Sequence, residues 1–165
     1  QLLFQSEWDN VDYLFVDLPP GTGDIQLTLS QKIPVTGAIV VTTPQDIALI
    51  DARKAVDMFG KVNIPIFGVL ENMSVHICSH CGHHEPIFGQ DGGKALAERL
   101  GVPLLGQLPL SLPVREAMDS GSAAQMQAAH PAIAQIYTEA AWQTALAVAA
   151  KGKDFSNRFP QIVVE

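Results

Sequence analysis

The feature that most constrains the fold of this chain is an apolar run, Tyr13-Leu14-Phe15-Val16, that ends in Asp17-Leu18-Pro19-Pro20-Gly21-Thr22-Gly23-Asp24. The run does not alternate with polar residues, which marks a strand buried on both faces and hence a parallel sheet covered by helices. An acid delivered by such a strand into a Pro- and Gly-rich turn suits phosphate chemistry. Yet the chain contains no Gly-x-x-x-x-Gly-Lys-Ser/Thr loop to cradle those phosphates. It therefore reads as the second half of a nucleotide-binding domain. It opens at Gln1 rather than Met, with a first strand expected about a dozen residues later, so truncation upstream is expected.

Short β-rich runs alternate with longer helical patterns along the rest of the chain, the signature of βαβ units. Residues 12–16 are the first expected strand, and Asp24 is placed to cap a short helix through about Lys32, ended by Pro34. Residues 37–42 form a second strand. Asp46 opens a helix with Ile47, Ile50, Ala55, Val56 and Phe59 at helical spacing, closed by Gly60. Residues 66–70 make a third strand, from which Glu71-Asn72-Met73 leave into an irregular loop. Gly92-Gly93 precede a helix through Leu100, residues 104–108 are a fourth strand running into Pro109, and Pro113 suits the first turn of a helix reaching about Met118. Pro131 starts a long Ala-rich helix to about Ala150. The fold class is α/β, a mostly parallel sheet flanked by helices. Trp8 and Trp142 are expected in the core or at an interface.

Ligands of parallel α/β sheets gather beyond the carboxyl ends of the strands. Asp17, Thr43, Asn72 and Pro109 all fall at such ends. Asp17 would hold Mg2+ through water, because that ion keeps most of its hydration shell. Pro19, Pro20, Gly21 and Gly23 would let the backbone pass close to a terminal phosphate, where an amide N–H senses its presence. The plainer reading of the same turn is an acidic strand-to-helix connection.

Composition narrows the partners. A net charge of -7 and a pI near 5.1, with ten scattered Lys and Arg, argue against nucleic acid. No apolar segment reaches the roughly 18 residues of a membrane span, and no basic-then-apolar leader opens the chain. The tail after Ala150 has few basic residues and contains Pro160, a poor membrane anchor. A cytoplasmic location without membrane contact is expected. The two cysteines fit a reducing compartment.

Those cysteines form Cys78-Ser79-His80-Cys81-Gly82, two soft ligands on one tight turn. That is half a site, since an iron–sulfur cluster or tetrahedral zinc takes four. His76, His80, His83 and His84 crowd the pair, which leaves a Cys2His2 zinc site open beside a cluster shared between chains and a redox dithiol. His83 and His84 follow Cys81 so closely that closure on one turn is awkward.

The octet, with Ile25-Gln26-Leu27-Thr28-Leu29, Pro34-Val35-Thr36-Gly37-Ala38, Thr42-Thr43-Pro44-Gln45-Asp46, Asp51-Ala52-Arg53-Lys54, Glu71-Asn72-Met73-Ser74 and Cys78-x-x-Cys81-Gly82, resembles the Mrp/ApbC family. Its members are iron–sulfur cluster carrier P-loop ATPases related to MinD and ParA. The likeness spans residues 12–115 almost continuously, and the cysteine pair separates these carriers from their MinD-like relatives.

The resemblance implies that Asp17 is the Walker B acid and that Gly21 and Gly23 lie in the switch region. It implies that Asn72 hydrogen-bonds adenine, with the segment after Pro109 lining the base. Residues 1–150 would be the C-terminal part of a P-loop NTPase domain with a metal loop at about 72–92, and residues 151–165 a tail. Cys78 and Cys81 would bind a transferable [4Fe-4S] cluster bridging a homodimer, with ATP and Mg2+ as cofactors and with apo iron–sulfur proteins and a cluster assembly scaffold as partners. The helix bearing Asp51, Arg53, Lys54 and Asp57 is most simply a solvated amphipathic face, and the resemblance implies that this segment lies near the nucleotide-dependent dimer interface. The Walker A loop is missing from these residues, so ATP hydrolysis is expected of the intact protein rather than of this chain alone. The alternative is a MinD/ParA-like scaffold or partitioning ATPase with a structural zinc knuckle.

Overall fold

The computed structural model describes residues 2–19, 28 and 32–151. After a single-turn helix, α1 (Leu2–Gln5), the order is β1 (Ala38–Thr42), α2 (Asp46–Lys61), β2 (Ile66–Glu71), a small hairpin of β3 (His76–Ile77) and β4 (His84–Glu85), α3 (Gly92–Leu100), β5 (Leu104–Gln107), α4 (Leu112–Asp119), α5 (Ala123–Ala129) and α6 (Pro131–Ala150). The strands β1, β2 and β5 lie parallel in the order β1-β2-β5, Thr42 opposite Glu71 and Glu71 opposite Gln107. Each crossover carries a helix, as parallel neighbours require.

The strand period of two assigns the faces. Val40 and Val69 pack with Leu49 and Ala52 of α2 and with Leu96 and Ala97 of α3. Leu70 points the other way, under α6. There a Cβ added to Gly106 would stand 2.9 Å from the Ala140 Cβ and 3.4 Å from Leu70 Cδ1, so only glycine lets the Ala-rich helix approach β5 this closely. A parallel sheet flanked by helices is therefore the observed architecture, and strands two, three and four of the sequence reading fall within about one residue of β1, β2 and β5.

Residues 12–16 differ from expectation. They form no strand, and Tyr13, Leu14, Phe15 and Val16 are exposed, Phe15 by 72%. The Tyr13 and Phe15 rings stack on each other, centroids 6.5 Å apart, as side chains two apart on an extended segment can. What is lacking is a ladder neighbour: among the described residues the edge of β1 away from β2 pairs with no strand. An apolar run without hydrogen-bonded neighbours or covered faces has nothing to hold it as a strand.

Smaller differences have local causes. Helix α2 runs past Gly60 to Lys61, and Asn63 (φ 56) takes the left-handed position instead. The loop after β2 contains the β3–β4 hairpin. Helix α5 was not anticipated; its sequence, Ala-Ala-Gln-Met-Gln-Ala-Ala, carries no buried residue and hence no apolar stripe to read. Trp8 and Trp142 are exposed, by 48% and 63%, rather than in the core. The helix expected from Asp24 to about Lys32 lies largely outside the described residues, as does the tail beyond residue 151. Among the described residues no helix is long and apolar enough to cross a membrane.

Candidate nucleotide edge and cysteine hairpin

Three of the four segments expected at the carboxyl edge meet there. The N–H of Asn72 donates to the Thr42 carbonyl (2.7 Å) and that of Leu108 to the Glu71 carbonyl (2.8 Å), which locks the exits of β1, β2 and β5 side by side. Thr43, Asn72 and Pro109 thus border one surface. Asp17, the fourth, is exposed and follows residues that form no strand, so it does not close a strand as expected. Pro20, Gly21 and Gly23 lie outside the described residues.

Asn72 is half-buried, and its Oδ1 accepts the N–H of Met73 (2.9 Å), whose φ of 53 is held in the left-handed region. The side-chain carbonyl is thereby used in the turn.

Beyond Asn72 the chain continues beside the exit of β5. Ser74 donates both its N–H (3.0 Å) and its hydroxyl (3.1 Å) to the Leu108 carbonyl, Leu110 N–H donates to Val75, and Ile77 N–H to Leu110. This strap extends the β2–β5 pairing past the sheet and ends at Cys78. The cysteines occupy the turn between β3 and β4, framed by the pairs His76 with Glu85 and Ile77 with His84. Cys78 N–H donates to the His83 carbonyl (3.0 Å), and Gly82 N–H, at φ 71, to the Cys78 carbonyl (2.9 Å).

Both cysteines are free thiols, Cys78 half-buried and Cys81 exposed. The Cys78 thiol is held below its ordinary range, chiefly by the backbone N–H of Cys81, then that of His80, then the Cys81 thiol, against burial and the charge of Glu85. Inward-pointing N–H groups favour thiolate, the form that binds metal. Among the described residues no three His, Cys, Asp or Glu side chains are grouped to hold a metal ion, so His76, His80, His83 and His84 do not complete a site with the pair. The turn carries two thiol groups, with no third such donor grouped beside them among the described residues.

One polar cluster was missed in the sequence. Glu71 is fully buried (0% exposed); its Oε2 accepts Gly93 N–H (2.5 Å) and its Oε1 accepts Gln107 Nε2 (2.8 Å), which also reaches Asp91 Oδ1 (3.3 Å). A Cβ on Gly93 would stand 2.8 Å from the Glu71 Cβ, so glycine is what admits the carboxylate to the N-terminus of α3, where free N–H groups favour an anion. The signal available was an acid closing the apolar run Ile66-Phe67-Gly68-Val69-Leu70, with a Gly-Gly pair downstream.

The ParA family profile described as NUBPL iron-transfer P-loop NTPase matches residues 1–145. An iron-sulfur cluster carrier protein of Pseudomonas fragi is 57% identical over 141 residues, 86% of this chain and 49% of its own length. The protein of that name from Escherichia coli K12 is 63% identical over 122 residues, 74% of this chain and 33% of its own. The iron-sulfur cluster transfer protein NUBPL of Mus musculus is 54% identical over 121 residues, 73% of this chain and 38% of its own. Among solved structures, a nucleotide-binding protein in complex with ADP from Archaeoglobus fulgidus superposes with a TM-score of 0.61 at 33% identity, covering 68% of this chain and 46% of that one. The chain thus spans between a third and about half of the curated relatives it matches. With 145 of its 165 residues under the family profile, it belongs to the NUBPL iron-transfer P-loop NTPases of the ParA family.

Proposed function

We propose that this chain is the cluster-holding part of an iron–sulfur cluster carrier, whose intact form binds and hydrolyses ATP in the cytoplasm and hands a [4Fe-4S] cluster to apo iron–sulfur proteins. The observation that carries the reading is the cysteine turn: two reduced thiols, one held toward thiolate, with no third ligand grouped beside them among the described residues. A cluster needs four thiolates, and two copies of this turn supply them across a two-fold axis. A cargo held between chains is exposed when they separate, which suits transfer to an acceptor.

The nucleotide part rests on the edge. Asn72 offers donors to adenine, and the segment after Pro109 would line the ring. Pro20, Gly21 and Gly23 are assigned to the switch over the terminal phosphate. Asp17 would take up Mg2+ through water once its segment is seated beside a phosphate-binding loop. The bound ion would neutralise charge developing on the phosphates.

Anaerobic iron, sulfide and zinc analysis with native mass, on reconstituted protein and on Cys78→Ala and Cys81→Ala, tests this reading. About four irons and four sulfides per dimer, abolished by either substitution, is the expected result. Stoichiometric zinc on a monomer, with no cluster formed, would overturn it in favour of a scaffold ATPase with a structural zinc knuckle.

A further inference from the structure

The loop that carries the cysteines is attached at both ends to the nucleotide edge. Its departing limb, residues 72–77, is hydrogen-bonded along Leu108 and Leu110. Its returning limb ends at Asp91, Gly92 and Gly93, where Gly93 N–H and the Gln107 amide both donate to the buried Glu71 carboxylate and Gly92 lies against Pro44 at the exit of β1. Glu71 is the residue before Asn72. One peptide therefore separates the side chain expected to touch the base from the side chain that anchors the far end of the metal loop.

We propose that Glu71 is a positioning residue that makes the cysteine turn respond to the base site, by tying the return limb of its loop to the strand end that carries Asn72. Coupling between two sites needs an element whose arrangement both of them bias. The loop meets that need because its return limb cannot move apart from β2: separation would strand a buried carboxylate and two donors, and such groups are costly to leave unpaired. A ligand that shifts Asn72 shifts Glu71 with it, and Gly93 follows. The turn of Cys78 and Cys81, held from both limbs, changes its exposure accordingly. This inference rests on the nucleotide-binding reading above.

The test uses the full-length protein, reduced and free of iron, sulfide and zinc, with ADP and Mg2+ as the probe. ADP binding is measured by equilibrium dialysis, and alkylation of Cys78 and Cys81 by iodoacetamide is followed by mass spectrometry. In the wild-type protein, saturating ADP is expected to change the alkylation rate severalfold. Glu71→Gln places an amide donor against Gly93 N–H or Gln107 Nε2; it is expected to bind ADP comparably and to lose the rate change. Should that variant not fold, Gln107→Leu removes one of the two bonds from the exposed side and is expected to weaken the response in the same direction. A merely structural role would alter stability and leave the response to ADP intact. Glu71→Gln, or Gln107→Leu in its place, retaining the full response would overturn the proposal, as would wild-type protein that binds ADP with no change in alkylation. Wild-type protein that binds no ADP would defeat the nucleotide reading itself and this inference with it.

Discussion

Two apolar runs of this chain, residues 13–16 and residues 66–70, have similar composition and opposite fates. Each is a short block of mostly aromatic and aliphatic residues closed by an acid, Asp17 in one and Glu71 in the other. The second is the central strand of the sheet, with Val69 fully buried and its acid hydrogen-bonded twice. The first is exposed, Phe15 by 72%. The difference is not in the runs but in their neighbours: β2 has a strand on each side and helices on both faces, and residues 12–16 have no ladder partner among the described residues. Apolar pattern supplies the tendency to be a strand, and pairing decides whether the tendency is used.

The widest separation between the two regions is expected on truncating an apolar side chain in each. Leu96, 2% exposed beneath β2, should cost about 2–5 kcal/mol on replacement by Ala, the range for a buried Leu that leaves a cavity. Phe15→Ala should stay within about 0.5 kcal/mol in this chain, as exposed positions do. Urea titration of both variants checks this, and similar losses would break the comparison. A second contrast uses the two acids. Glu71→Ala leaves Gly93 N–H and the Gln107 amide without their acceptor and should cost about 1–3 kcal/mol, whereas Asp17→Ala should leave the melting curve of this chain unchanged.

The same contrast explains what could be read in the sequence. Strands β1, β2 and β5 and helices α2, α3, α4 and α6 were legible because their apolar runs and helical spacings are satisfied by contacts within this chain. Residues 12–16 carried an equally clear pattern but have no ladder partner among the described residues, so pattern and structure part there. The cysteine turn was legible as a motif, but not its β3–β4 frame, since strands of two residues show no period. Glu71 was read as a loop entry because burial of an acid depends on Gly93 and Gln107, 22 and 36 positions away. Asn72 and Pro109 follow the ends of β2 and β5 closely because those strand bounds were legible.

Within the well-paired region the strap to the cysteines should contribute less than the core. Ser74→Ala removes the hydroxyl bond to Leu108 and keeps the backbone bond to the same carbonyl, so a loss of about 0.5–1.5 kcal/mol is expected from the urea midpoint. A larger loss would mean that the hydroxyl, rather than the backbone ladder, holds the loop against β5.

The smallest expected effect is a displacement on the pH axis. The Cys78 thiol lies below its ordinary range because the N–H groups of Cys81 and His80 favour its anion, an arrangement that exists only while the turn is folded. The folded value is therefore below the unfolded one. Its stabilising contribution is present above the unfolded value and is lost as pH falls through the folded value. Alkylation of Cys78 followed against pH should accordingly rise earlier on the acid side in native protein than in urea. Glu85 opposes the shift, so Glu85→Gln should move the native curve further toward acid. Coincident native and urea curves would show that the turn does not organise its N–H groups around sulfur. In that case the cysteine hairpin would resemble residues 12–16, a recognisable pattern without the contacts that give it effect.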